Sequence, residues 1–327
     1  MIAAYCHNNI LEQAVRLFKQ MQEAGFEPDC TTWNSPIGAY ARLGKHDEAF
    51  MLFRTMLMVG VCPDQATFVT VMHLCSGMAS LNQGQTVHVQ IFKTDFGFDH
   101  VVGSSLIDMY AKFGNLEGAR RVFDGLKLRD LVTWNAMIAV YTQHGYGHLA
   151  FQLFAQMQEL GLKPDKYTFV SIVKACTSIG ALDQGKQVHC FILEGGYESD
   201  VYVGSASIDM YYKWHRLKDA LTVCEAVPQP NIVIWNAMLS GYALCRDFKE
   251  AWGLVESMKS EGFKPDVVTF VCLLSACGQE ALVEQAFDHL ESMDTAHGMK
   301  PSLNHLTCML DILGRVGRLD EAIQIQQ

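Results

Sequence analysis

The chain repeats itself at an interval of 101 residues, and this recurrence limits the possible folds more than any other feature. Thr32-Trp33-Asn34 returns as Thr133-Trp134-Asn135 and then, with isoleucine in front, as Ile234-Trp235-Asn236. Ile107-Asp108-Met109-Tyr110 returns at Ile208, and Thr-Phe-Val opens at Thr67, Thr168 and Thr269. Gly-x-x-Pro-Asp closes segments at Asp29, Asp64, Asp165 and Asp266. These marks cut each 101-residue stretch into 35, 35 and 31 residues. The resulting units are a partial one at 1–29, then 30–64, 65–99, 100–130, 131–165, 166–200, 201–231, 232–266, 267–302 and a truncated 303–327. Nothing is left over for a second kind of domain.

Each unit reads as two helices. In 131–165, Met137, Ile138 and Tyr141 follow helical spacing. His144-Gly145-Tyr146-Gly147 breaks the run, and Ala150, Leu153, Phe154 and Met157 resume it. Gly161 ends the second helix and Pro164 prevents its continuation. One such pair cannot bury its own apolar face, so neighbouring pairs must stack into a solenoid. Ala119, Ala150 and Ala251 recur where helices need to approach closely.

Composition agrees with a packed chain. Of 327 residues, 50% are hydrophobic and 18% charged, which argues against disorder. The net charge of −10 counts against a nucleic-acid binder, although a basic stripe can sit on an acidic body. The 11 cysteines include no Cys-x-x-Cys pair and are expected to be reduced thiols. No secretory signal opens the chain, and the most apolar run, Met51 to Cys62, is broken by Arg54, so no membrane partner is expected.

Catalytic patterns are absent from the sequence. There is no P-loop, Gly-x-Gly-x-x-Gly or Gly-x-Ser-x-Gly, and no His-x-Glu with Cys-x-x-Cys of the kind that holds a deaminase zinc. Cys272 and Cys277 fall on different faces of one helix and read as core. His144 and His148 flank a turn with no acidic third ligand. His88 and His189 sit at the same offset in two units, which marks them as repeat architecture. The chain is expected to be no enzyme and to need no cofactor.

The 35-residue period, the Trp-Asn opening and the Gly-x-x-Pro-Asp ending resemble the pentatricopeptide repeat family of organellar RNA-binding proteins. Leu131 to Gly145 resembles its standard repeat, Thr168 to His189 its long variant and Val102 to Asp124 its short variant. The standard-long-short order is similar to the plant subclass whose members mostly direct C-to-U editing. On that resemblance, 30–64, 131–165 and 232–266 are standard, 65–99, 166–200 and 267–302 long, and 100–130 and 201–231 short. The implied fold is all-α, a right-handed superhelical α-solenoid. The implied location is the chloroplast or mitochondrion. Full-length relatives carry a targeting leader and often C-terminal extensions, one of them a deaminase; this chain shows neither and reads as a fragment or shortened product. With both end units truncated, Leu17, Phe18 and Met21, and Leu310 and Leu313, are expected to lack full cover.

In that family the fifth and last residues of a unit read one base. The resemblance assigns uridine to Asn34 with Asp64, Asn135 with Asp165, and Asn236 with Asp266. It assigns guanine to Ser104 with Asp130 and adenine to Ser205 with Asn231. Thr307 is the fifth residue of the last unit. Val69, Val170 and Val271 cannot hydrogen-bond a base and should discriminate little. The asparagines would also suit helix N-caps, and the aspartates after proline would suit turns or caps. At the thirteenth position stand Arg42, Lys112, Lys213 and Arg315, a cationic row suited either to backbone phosphates or to solvent. The expected partner is single-stranded RNA of sequence 5′-U-n-G-U-n-A-U-n-3′, with a separate deaminase or editing cofactor protein beside it. The alternative is a protein-binding scaffold resembling tetratricopeptide arrays.

Overall fold

A computed structural model describes residues 1–327 apart from 9, 79, 229, 246, 326 and 327. The described residues form twenty α-helices and one short 3-10 turn at Asp95–Phe98, with no strand among them. They gather into two compact units, Met1–Leu162 and Lys163–Gln327.

The first unit holds five helix pairs. These are α1 (Ile2–His7) with α2 (Leu11–Glu23), α3 (Cys30–Arg42) with α4 (His46–Met58), and α5 (Gln65–Gly77) with α6 (Leu81–Phe92). The series continues with α7 (His100–Lys112) and α8 (Leu116–Gly125), then α9 (Leu131–Gln143) and α10 (Gly147–Glu159). The second unit pairs α11 (Lys166–Ile179) with α12 (Leu182–Glu194), α13 (Val201–Lys213) with α14 (Leu217–Glu225), and α15 (Ile232–Leu244) with α16 (Phe248–Ser260). It ends with α17 (Val267–Glu280) and α18 (Val283–Thr295), then α19 (Leu303–Val316) and α20 (Leu319–Ile325).

Local chemistry sets these boundaries. Asp29, Asp64, Asp165 and Asp266 each cap the helix that follows, accepting the backbone N–H three residues on. In α5, α11 and α17 the threonine at that position answers with its hydroxyl, completing a capping box. Upstream, Gly161 and Gly262 take φ of +75° and +87°, which lets the second helix stop before proline.

Within each unit the first helices of successive pairs pack on one another: α3 on α5, α5 on α7 and α7 on α9, and likewise α11 through α19. They are therefore apolar on several faces; α15 buries Ile234, Trp235, Leu239 and Ala243. Each second helix rests on its own first helix, and most also touch the next one. Ala119, Ala150 and Ala251 are fully buried at those contacts. Trp33 meets Phe18 edge-on at 4.7 Å, and Trp134 meets Phe123 at 4.9 Å. That contact corrects one expectation: Phe18 is covered, and so is Leu313, which packs among Leu274, Cys277 and Met309.

The 101-residue repeat also exposes one packing defect. Ser207 occupies the place that Leu106 fills in the earlier short unit. It is 1% exposed, and its hydroxyl has no hydrogen-bond partner among the described residues. A cavity of about 100 Å³ lies beside it, lined by Ile192, Val203, Val223 and Ala226. Ser207→Leu removes the unpaired hydroxyl and fills the space. It should stabilise the fold by about 1–3 kcal/mol, seen as a higher midpoint in thermal or urea unfolding. A lower midpoint would mean that the cavity is too tight for leucine or that water satisfies the serine.

Candidate nucleic-acid interface

In the standard units 30–64 and 232–266 the fifth and last residues meet, because the last residue caps the next first helix. Asn34 sits in the second turn of α3 and Asp64 caps α5. The Asn34 amide donates to both Asp64 oxygens, at 3.0 and 3.1 Å, while the Thr67 hydroxyl reaches Asn34 Oδ1 at 2.6 Å. The same network returns in the second unit. Asn236 Nδ2 donates to Asp266 Oδ1 at 3.0 Å, and Thr269 Oγ1 lies 2.8 Å from Asn236 Oδ1.

A carboxylate only accepts, so the amide must turn its nitrogen toward it and its oxygen toward the hydroxyl. The asparagine is thereby held in one orientation with one lone pair of its oxygen left over, and at Asn34 the amide nitrogen also donates to Cys30 Sγ at 3.7 Å. Burial works to raise the Asp64 carboxyl. The Thr67 N–H, the Thr67 hydroxyl and the Asn34 amide outweigh it and hold the group below the ordinary carboxylate range, so it stays ionised. Asparagine at the fifth position is thus no cap; the aspartates are. Asn135 lies on α9 in the first unit, and Asp165 caps α11 in the second.

The short units are built differently. Ser104 donates to Val101 O at 2.9 Å and Ser205 to Tyr202 O at 3.1 Å, so both hydroxyls leave only lone pairs outward. Asp130 caps α9 through Oδ1, which accepts from Thr133 N at 2.9 Å. Its Oδ2 lies 3.7 Å from His100 Nε2. Asn231 caps α15 through Oδ1 at 2.9 Å from Val233 N, which turns its amide nitrogen away from the helix. Thr307 bonds to Leu303 O at 2.8 Å, and Val69, Val170 and Val271 are half-buried.

The cationic row is compensated. Lys112, Lys213 and Arg315 each pair with the aspartate four residues earlier: Asp108 at 2.7 Å, Asp209 at 2.9 Å and Asp311 at 2.9 Å. Arg42 has Gly38 at that offset and donates instead to Cys6 O at 3.0 Å, closing the end of α1. Such half-exposed pairs are worth only a few tenths of a kcal/mol, roughly 0.3–0.5. A phosphate can therefore compete for the cation.

One row escaped the sequence reading. Val101, Val132, Tyr167, Tyr202, Val233 and Val268, the second residues of six units, are all exposed. They stand three residues before the fifth position and so share its helix face. The signal was present as apolar residues at a fixed offset outside the core stripe. In the second unit they join the reading residues around an open groove of about 480 Å³, lined by Tyr202, Ser205, Val233, Asn236, Asp266 and Val268.

Elsewhere the titratable groups look inward. Burial pushes the Cys272 and Cys277 thiols up to about 12. His88 and His189 bond to Tyr110 and Tyr211 at 2.8 and 2.7 Å, the tyrosines of the two Ile-Asp-Met-Tyr segments. Among the described residues, no three His, Cys, Asp or Glu side chains converge as a metal site.

Comparison with known proteins follows the same lines. A PPR repeat family model matches residues 1–37, 31–76, 129–178 and 230–279, and a PPR repeat model matches 104–131. Pentatricopeptide repeat-containing protein At4g33170 of Arabidopsis thaliana is 35% identical over 98% of this chain and 32% of its own length. At2g03880, mitochondrial, from the same plant, is 34% identical over 99% of this chain and 50% of its own. The chain thus spans from about a third to half of the length of these relatives. Among solved structures, PPR10 in complex with an 18-nt psaJ RNA element has a TM-score of 0.79 at 20% identity, covering 99% of this chain and 49% of that one. This likeness establishes a common all-α helical-repeat fold. With family models matching more than half its length, the chain belongs to the PPR repeat family.

Proposed function

We propose that the chain binds single-stranded RNA one base per unit, as a specificity factor for organellar RNA editing or processing. The observation that carries this reading is the recurrence of one network, Asn–Asp–Thr, at Asn34 and again at Asn236. A polar constellation held in one orientation beside exposed apolar side chains suits a base, with an edge to read and faces to flank. PPR10 was solved with RNA, and one relative is named mitochondrial.

The units act as standard, long and short modules of the plant editing subclass. Asn34–Asp64, Asn135–Asp165 and Asn236–Asp266 read uridine, Ser104–Asp130 guanine and Ser205–Asn231 adenine. The second residues flank the bases. Chemistry on the RNA falls to a separate deaminase or cofactor protein. Selection from a random RNA pool should return 5′-U-n-G-U-n-A-U-n-3′. A pool that shows no enrichment would favour a protein-binding scaffold instead.

The compensated cations yield a second test. Lys112→Ala, Lys213→Ala and Arg315→Ala together should weaken binding to every RNA alike. They should also flatten the log–log salt dependence by roughly 2, at about 0.7 per phosphate contact. Arg42→Ala should lower stability instead, because its guanidinium serves a carbonyl. An unchanged slope in a salt titration would leave the three pairs as surface decoration.

A further inference from the structure

The first long unit, 65–99, differs from the other two at its ends. Its first residue is Gln65, where the counterparts are Lys166 and Val267, and its last is Asp99, where they are Asp200 and Ser302. The Gln65 amide nitrogen donates to both Asp99 oxygens, at 3.0 and 3.1 Å. Asn34 holds Asp64 at the same two distances. Gln65 stands four residues before Val69, one helical turn from the fifth position and on the same helix face. The amide that Val69 lacks is therefore supplied from the preceding turn, by a side chain longer than asparagine by a methylene.

Asp99 caps α7 through Oδ1, which accepts from Val101 N at 3.0 Å and Val102 N at 2.9 Å, so Oδ2 takes no part in the cap. Burial works to raise the Asp99 carboxyl, and the Gln65 amide leads the bonds that hold it below the ordinary carboxylate range. A carboxylate only accepts, and an amide that turns its nitrogen toward one turns its oxygen away. Val102 stands where Thr67 stands beside Asn34, so the hydroxyl that engages the Asn34 oxygen has no counterpart at Gln65. Gln65 and Asp99 are both half-buried. The pair thus presents two acceptors, Gln65 Oε1 and Asp99 Oδ2, on the helix face that carries the fifth position.

We propose that Gln65 and Asp99 select guanine at the second nucleotide, a position that Val69 alone would leave open. Guanine sets two N–H donors side by side on its Watson–Crick edge, one on the ring and one on the amino group, and so meets two acceptors. Adenine and cytosine carry a ring acceptor beside the amino group, and uracil flanks its N–H with carbonyls; each would bring an acceptor against an acceptor. This inference rests on the RNA reading above and narrows the first of its open positions. The middle long unit lacks only the amide. There Asp200 caps α13 through Oδ1, on Tyr202 N at 2.9 Å and Val203 N at 3.0 Å, as Asp99 caps α7, but the first residue is Lys166.

The test is competition binding of the full chain to RNAs of the proposed sequence that differ only at the second nucleotide. The unaltered chain should favour guanine about tenfold, the scale of one good base contact. Gln65→Val installs the residue of the third long unit and should reduce that preference to less than about threefold, while the preferences at the third and sixth nucleotides persist. A clamp that merely ties α5 to α7 would instead weaken all four RNAs alike and leave the preference in place. Lys166→Gln grafts the amide opposite Asp200 and should create a guanine preference at the fifth nucleotide, where the unaltered chain has none. In a chain that still selects its third and sixth nucleotides, three results would overturn the pair alone. They are equal affinity for the four bases or preference for another base at the second nucleotide, a guanine preference that survives Gln65→Val, and a Lys166→Gln chain indifferent at the fifth. No selective binding at any position would overturn the RNA reading and the pair together.

Discussion

Gly241→Ala should destabilise the chain by about 2–3 kcal/mol, although glycine to alanine inside a helix ordinarily stabilises by roughly 0.5–1 kcal/mol. The reversal comes from Tyr212. A Cβ built on Gly241 falls 2.1–2.2 Å from three ring carbons of Tyr212, and that ring is 1% exposed with nowhere to go. The equivalent positions 101 residues earlier are Ala111 and Val140. The two super-repeats thus fill one contact in opposite ways, small against large between α7 and α9, and large against small between α13 and α15. Tyr212→Ala alone leaves a cavity and should lose about 3–5 kcal/mol, as large aromatic truncations do. Tyr212→Ala with Gly241→Val restores the pairing of the other super-repeat. Urea unfolding of the unaltered chain, Gly241→Val, Tyr212→Ala and the double variant closes a double-mutant cycle, and the expected coupling is favourable by at least about 2 kcal/mol. Additive losses would mean that the backbone of α15 moves aside and that the two positions are independent.

That exchange shows what a repeat makes readable and what it hides. The fold class followed from period and punctuation, because each Gly-x-x-Pro-Asp stops one helix and caps the next. Reciprocal substitutions within the period are visible as letters, but not as contacts, until helix packing is known. The interface divides in a similar way. Asn34 and Asp64 were singled out by offset; Thr67, which completes their network, had been counted only as part of Thr-Phe-Val. The row of Lys112, Lys213 and Arg315 was aligned correctly as letters. The neutralising aspartates stand one helical turn earlier, Asp108 and Asp209 in the two Ile-Asp-Met-Tyr segments and Asp311 in Leu310-Asp311-Ile312-Leu313, and a four-residue spacing of opposite charges does not by itself say whether the cation is free for a phosphate. The second-residue row is hidden in the sequence because its valines and tyrosines have the chemistry of core residues but are exposed.

Asp130→Asn should convert the preference at the third nucleotide from guanine to adenine. The reason lies in the cap. Asp130 Oδ1 accepts from Thr133 N at 2.9 Å and lies 2.7 Å from the Thr133 hydroxyl, so only Oδ2 is left to face outward. An acceptor suits guanine, whose reading edge presents N–H groups. Asparagine in the same place must give its oxygen to the helix, because an amide nitrogen cannot accept the backbone N–H. Its NH2 then faces outward, as Asn231 already demonstrates with Oδ1 on Val233 N. A donor suits the ring nitrogen of adenine. The two residues cap about equally well, so stability should hold, and the exposed contact to His100 is too weak to matter. The swing between purines should be roughly 1–3 kcal/mol, the scale of a good base contact in duplex readout. Asn231→Asp should produce the opposite change at the sixth nucleotide. Competition binding with RNAs that differ at one purine measures both. A mutant that keeps guanine, or a pair of proteins that cannot tell the purines apart, would reduce Asp130 to a helix cap and break the register of reading along the chain.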